Sequence, residues 1–258
     1  MRSKAILVVV LVLGVFNIGL QQAEAGTVYL DRNDGQIHNI DYDYEREYDT
    51  YVMRVDYQSP GMYTTVNFLS GARLGGLVGY ENSIINVSGG WINGLTAEGS
   101  SRLFMSGGSV GYSTNVWGNS EATIIGGGTP RLFVSENGSA NVSGGSYGQL
   151  ASLMTGQIYM SNGSIGNIVA GQSAAITLVG SDFAIDGQPV DFGSITSIHG
   201  NDYVYETVRV LTGTFLGGNT IDFDFRIGNG ASIVLVPEPT TLLLLSLGAV
   251  MLRRKHGA

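Results

Sequence analysis

Residues 88–178 read, in consecutive blocks, SGGWINGLTAEGSSRLFM, SGGSVGYSTNVWGNSEATI, IGGGTPRLFVSENGSANV, SGGSYGQLASLMTGQIYM and SNGSIGNIVAGQSAAITL. The block before them, SGARLGGLVGYENSIINV, opens at Ser70, and a decaying one opens at Val179. The starts at Ser70, Ser88, Ser106, Ile125, Ser143, Ser161 and Val179 repeat with a period of 18, lengthened by one only between Ser106 and Ile125. Self-similarity at a fixed period marks a stack of repeats, each unable to bury its apolar face alone. The glycine pair reads as a corner, and the residues between corners supply strands.

Each block ends on three residues whose first and third are apolar: Ile85-Asn86-Val87, Leu103-Phe104-Met105, Ala122-Thr123-Ile124, Ala140-Asn141-Val142, Ile158-Tyr159-Met160 and Ile176-Thr177-Leu178. That is strand alternation, one face inward and one outward. A second apolar column holds Leu77, Leu95, Leu132, Leu150 and Ile168, and a third, weaker one Leu74, Ile92, Val110, Tyr147 and Ile165. Like stacked on like at this period predicts a β-solenoid, with coils about 4.8 Å apart. A left-handed hexapeptide helix needs an aliphatic residue every six, but that site holds Gly76, Asn93, Gly111, Pro130, Gly148 and Gly166. The period favours an all-β chain built as a small parallel β-helix, right-handed by the general rule for parallel crossovers. A broken β-sandwich is the alternative.

Residues 26–69 and 181–235 do not follow the repeat, which spans 70–180, and are expected to act as β caps over its ends. The first contains Asp41-Tyr42-Asp43-Tyr44-Glu45-Arg46-Glu47-Tyr48-Asp49. Extended, this segment presents five carboxylates on one face and three tyrosines with Arg46 on the other. It reads as a charged protective edge, with calcium binding as the other reading; no glycine-punctuated calcium loop surrounds it.

Composition narrows the chemistry. The chain has 258 residues, 39 glycines, no cysteine and three histidines, His38, His199 and His256, in no metal-ligand spacing. Disulfides, thiol nucleophiles and cysteine-ligated zinc are excluded, and neither cofactor nor metal is expected. Between residues 26 and 239 there are 8 arginines, no lysine and 20 acidic residues, a net charge of −12. Such a surface repels phosphate backbones, which rules against nucleic acid as a partner.

The basic residues gather at the termini. Arg2 and Lys4 precede an apolar stretch from Ala5 to Leu20 and then Ala23-Glu24-Ala25. This is the pattern of a secretory signal peptide over residues 1–25, with Ala23 and Ala25 as the small residues of the cleavage site and Gly26 as the mature start. A retained membrane helix is disfavoured by polar Gln21, Gln22 and Glu24.

At the other end, residues 236–258 hold Val236-Pro237-Glu238-Pro239, an apolar run from Thr240 to Leu252, and Arg253-Arg254-Lys255. This resembles the PEP-CTERM sorting signal of Gram-negative bacteria. The resemblance implies export across the inner membrane and recognition of Pro237, Glu238, Pro239, Arg253, Arg254 and Lys255 by an exosortase-like membrane protease. It leaves a membrane-anchored form or a cell-surface or extracellular one. The residues themselves are consistent with that. A 13-residue helix rises about 20 Å against a hydrocarbon core of about 30 Å. Such a run spans only if the terminal basic residues snorkel, and they belong on the cytoplasmic side. The two prolines keep the preceding segment extended. The repeats also look like those of PEP-CTERM proteins reading Val-Asn-x-Ser-Gly-Gly-Ser-x-Gly, closest at Asn141-Val142-Ser143-Gly144-Gly145-Ser146-Tyr147-Gly148. No activity comes with that likeness.

Many β-helices act on polysaccharides, which makes a glycosidase or lyase the rival reading. The repeat region carries only Glu81, Glu98, Glu121 and Glu136 with Arg73, Arg102 and Arg131. Glu81 and Glu98 fall on adjacent coils, within reach of the carboxyl spacing of a retaining glycosidase, yet both sit in polar stretches that read as corners. No catalytic residue is assigned. The expected role is structural or adhesive at the cell surface or in an extracellular matrix, with extracellular polysaccharide as a candidate ligand.

Overall fold

The computed structural model describes residues 27–44, 50–58, 61–196, 208–228 and 230–238. Signal-site residues Ala23 and Ala25, sorting residues Pro239, Arg253, Arg254 and Lys255, and Glu45 to Asp49 of the acidic segment lie outside them.

The described residues are all-β, with no helix among them. Two ladders of parallel strands organise the chain. One holds β1 (Thr27–Arg32), β3 (Thr50–Val55), β5 (Arg73–Gly79), β7 (Trp91–Ala97), β9 (Ser109–Val116), β11 (Gly128–Val134), the second halves of β12 (Ser139–Ser152) and β13 (Gln157–Ala170), and β18 (Thr220–Ile227). The other holds β2 (Ile37–Ile40), β4 (Thr65–Phe68), β6 (Ile84–Val87), β8 (Arg102–Met105), β10 (Glu121–Ile124), the first halves of β12 and β13, β14 (Ala175–Ile185) and β19 (Ser232–Pro237). Three further strands, β15 (Gln188–Pro189), β16 (Gly193–Thr196) and β17 (Arg209–Phe215), pair antiparallel with β14, β19, and both β14 and β18, respectively.

The columns read from the sequence face the interior. Val87, Met105, Ile124, Val142, Met160 and Leu178 stack in register and are at most 1% exposed. Leu77, Leu95, Leu132, Leu150 and Ile168 are fully buried, with Thr114 taking the place between Leu95 and Leu132. A column the apolar pattern does not reveal lies just before the short strands, where Thr64, Ser83, Ser101 and Ser120 are all buried. Ser120 Oγ donates to the carbonyls of Trp117 and Ala97, at 2.6 and 3.0 Å.

The glycine pair divides its work between two needs. Gly108 has φ +81°, a left-handed conformation that any Cβ disfavours. Gly107 has no such φ, but a Cβ there would lie 2.5 Å from the Ser88 carbonyl oxygen of the preceding repeat. Gly108 turns the chain, and both glycines let successive repeats come close.

The ladders extend beyond the interval the repeat marks. Thr27 of β1 pairs with Thr50 of β3, and Ile37 of β2 with Thr65 of β4, both longer steps than the repeat's and both inside the segment set apart as an N-terminal cap. At the other end, β18 and β19 rejoin the ladders after an excursion through β15, β16 and β17. Pairing register tolerates inserted loop residues, because closing a longer loop costs little. Asp56 shows how one insertion is held. It is buried, and its carboxylate accepts from Thr64 N at 2.9 Å and Thr64 Oγ1 at 2.6 Å.

Candidate functional site: the carboxyl-terminal segment

The last strand is built like those before it, from alternating residues with an apolar inward face. Ile233 and Leu235 are buried, while Ser232, Val234, Val236 and Pro237 are half-buried. Parallel pairing with β14 runs from Ala175↔Ser232 to Gly180↔Pro237. On the other edge, β16 pairs antiparallel from Thr196↔Ser232 to Gly193↔Leu235. Residues 232–235 are therefore clamped on both sides, and Val236 and Pro237 on one.

Pro237 ends the ladder because it has no N–H to donate. Opposite it, β14 changes partner: Gly180 pairs with Pro237 and also with Phe215 of β17. That crossing requires a glycine, since a Cβ at position 180 would collide with the Thr214 carbonyl oxygen. Glu238 follows, half-buried. A proline after it disfavours helical conformation at Glu238. Pro237 is still paired in the sheet, so no linker separates the core from the start of the Pro-Glu-Pro triplet.

Residues 235–255 match the model of the PEP-CTERM protein-sorting motif. The chain carries a PEP-CTERM motif. That motif implies an exported protein processed by an exosortase, itself a membrane protein, with a membrane-associated or surface location. The PEP-CTERM match starts at Leu235, a core residue, one position before the Val236 at which the sequence pattern begins. No curated protein and no solved structure matches the chain.

The carboxylates of the repeat region lie at turns and strand ends. Glu81 has φ +50° and Glu136 φ +57°, in the same corner column that holds Gly99 at +71° and Gly118 at +69°. Glu98 stands one residue before that column, its N–H bonded to the Gly79 carbonyl. Glu121 opens β10 beside Arg102 and is exposed.

In the acidic segment, Asp43 bridges to Arg73, with 3.9 Å between carboxylate and guanidinium. The Tyr42 and Tyr44 hydroxyls are hydrogen-bonded to each other. Burial, and then this neighbour, push Tyr44 up to about 12. Asp34 accepts from Gln36 N and pairs with His38 Nε2 at 2.9 Å, which closes the turn at Gly35. Hydrogen bonding to His38 holds the Asp34 carboxyl below its ordinary value. Among the described residues, no three His, Cys, Asp or Glu side chains converge.

Outward-facing asparagines form a ladder that no motif announces: Asn86 Nδ2 donates to Asn67 Oδ1 and Asn67 Nδ2 to Asn39 Oδ1, both at 2.8 Å. A shallow depression on the outer face of the long-strand ladder is lined by Gln149, Asn167, Val169, Val208, Asp224 and Arg226. Gln149 Nε2 donates to Asn167 Oδ1 within it at 3.0 Å.

Proposed function

We propose that the body is a right-handed parallel β-helix that serves as a structural or adhesive protein of the cell surface or extracellular matrix and has no catalytic activity. An N-terminal signal peptide cleaved after Ala25 starts its export, and the PEP-CTERM tail completes its sorting. The ladders of parallel strands, whose pairing steps follow the sequence period through the repeats, support the β-helix.

One observation carries the non-enzymatic reading: Glu81 and Glu136 occupy a corner that neighbouring coils fill with Gly99 and Gly118. A position where carboxylate and hydrogen serve equally well is a turn position, and catalysis by a carboxyl dyad needs both carboxyls. The outward asparagine ladder and the register-matched core add rigidity along the stack, as a scaffold needs.

The test is a panel of acidic and neutral polysaccharides presented to the mature protein, with Glu81→Gln and Glu98→Gln alongside. The expected outcome is no turnover by any of them, and stability of both variants within about 0.5 kcal/mol of the parent. Hydrolysis by the parent that either variant loses overturns the scaffold reading.

A further inference from the structure

The point where the tail leaves the sheet is bordered by apolar side chains on both sides. Gly193 pairs antiparallel with Leu235, which leaves Phe192, the bend residue just before β16, next in line toward Val236. Val236 pairs with Val179, whose carbonyl accepts the Leu216 N–H at 3.0 Å. Phe192, Val236, Val179 and Leu216 thus form a row across adjacent strands, level with the exit at Pro237. Its two ends lie open to solvent, Phe192 at 46% and Leu216 at 41% exposure, while Val236 is half-buried and Val179 is buried beneath them. The Phe192 ring is fixed in place edge-on against buried Phe183, with centroids 6.0 Å apart.

Chain length determines how far this row can stand from a bilayer. Pro237 is still in the sheet, and the apolar run begins three residues later at Thr240. Three residues span at most about 11 Å, and the polar layer outside the hydrocarbon is roughly 5–8 Å thick on each side. The 13-residue run is also short for the hydrocarbon core, and a short span draws its flanking residues toward the membrane. Exposed Asp191 beside Phe192, and Glu238 after Pro237, keep the row from entering the hydrocarbon itself.

We infer that the accessible members of this row, Phe192, Val236 and Leu216, are a lipid-contacting surface laid over buried Val179, seated in the headgroup layer while the tail is inserted, so that the folded body forms part of the anchor. The inference rests on the reading that the tail inserts into the membrane. The surface fits an amphipathic interface, with aromatic and aliphatic side chains at the level of the headgroups and the exposed Asp191 carboxylate beside them.

The chain has no cysteine, so one introduced thiol is a unique labelling site. Full-length protein with its tail intact carries an environment-sensitive fluorophore at Phe192→Cys, at Leu216→Cys or, near the opposite end of the stack, at Tyr63→Cys. Each is placed in protein-free vesicles of phosphatidylethanolamine and phosphatidylglycerol containing a lipid with a quencher near its headgroup. The expected result is loss of emission at positions 192 and 216 and none at 63. A flexible Gly-Ser linker inserted between Glu238 and Pro239, long enough to clear the headgroup layer, should abolish the quenching while the tail still resists carbonate extraction. A tail that resists extraction with labels at 192 and 216 no more quenched than at 63 overturns the proposal alone. Release of the tail by carbonate overturns the insertion reading and, with it, this surface. Because the vesicles contain only lipid, quenching assigns the contact to the bilayer and not to a membrane protease.

Discussion

Leu235 stacks on Leu178 in parallel register, and both are at most 1% exposed. The first residue of the sorting motif is therefore also the last member of the column that runs through Val87, Met105, Ile124, Val142 and Met160. Sorting address and folded core share a residue.

The triplet itself is open to test. Replacing Pro237-Glu238-Pro239 with three alanines restores the N–H missing at position 237 and removes the bar to helix through the exit. The segment is then free to pair further with β14 or to join the apolar run as helix. The expected outcome is an unprocessed, membrane-retained form, read by mass spectrometry of the mature C-terminus after cell fractionation. Processing at the parental position and rate would show that the extended exit is not what the protease recognises.

The two glycines of one corner should fail for different reasons. Gly108→Ala places a Cβ at φ +81° and 2.6 Å from the Gly89 carbonyl oxygen. The conformation alone costs about 1–2 kcal/mol, and the collision adds to it. Gly107→Ala keeps an allowed φ but pushes against the Ser88 carbonyl oxygen at 2.5 Å, so neighbouring repeats must separate. Gly94→Ala is the control, with nothing within 4 Å of its added carbon. It should be neutral or gain about 0.4–1 kcal/mol from a less flexible unfolded chain. Urea unfolding midpoints of the three variants decide the order; equal midpoints for Gly94→Ala and Gly108→Ala would contradict the corner assignment.

Tyr147 gives the fold an alkaline limit. It is 3% exposed, its hydroxyl donates to the Gly144 carbonyl at 2.8 Å, and burial raises its pKa above the ordinary value of 10.0. A group whose pKa is higher folded than unfolded contributes fully below the unfolded value and loses that contribution as pH rises past it. Stability should fall above pH 10.0, as the unfolded chain ionises and the folded one does not. Tyr147→Phe should cost about 1 kcal/mol at neutral pH for the lost hydrogen bond, and its stability should fall less steeply in alkali. Thermal melts from neutral pH to pH 11 (about one unit past the free tyrosine value) test it: parallel curves for parent and variant would remove Tyr147 from the account.

Much of the interior is legible without coordinates. A period of 18, alternation within each three-residue terminus, and a glycine pair at each start are local facts about the chain. They assign Val142 and Leu150 to the core because inward and outward positions follow directly from strand geometry. The Pro-Glu-Pro triplet, apolar run and basic end are likewise contiguous, so the sorting address can be read as text. Partnership between distant segments is a different matter. Leu178 pairs with Leu235 across the excursion through β15, β16 and β17, which erases the period between them. Asp56 reads as one more acidic loop residue until Thr64 is seen to satisfy its carboxylate. Phe192, Val236, Val179 and Leu216 come from four separate segments, and nothing in their spacing marks them as neighbours. Local preference and repetition decided the strands and their inward face. Hydrogen-bond register between strands far apart in the chain decided where the ladders begin and end, because matched edges specify their pairing strongly while a longer loop between them costs little.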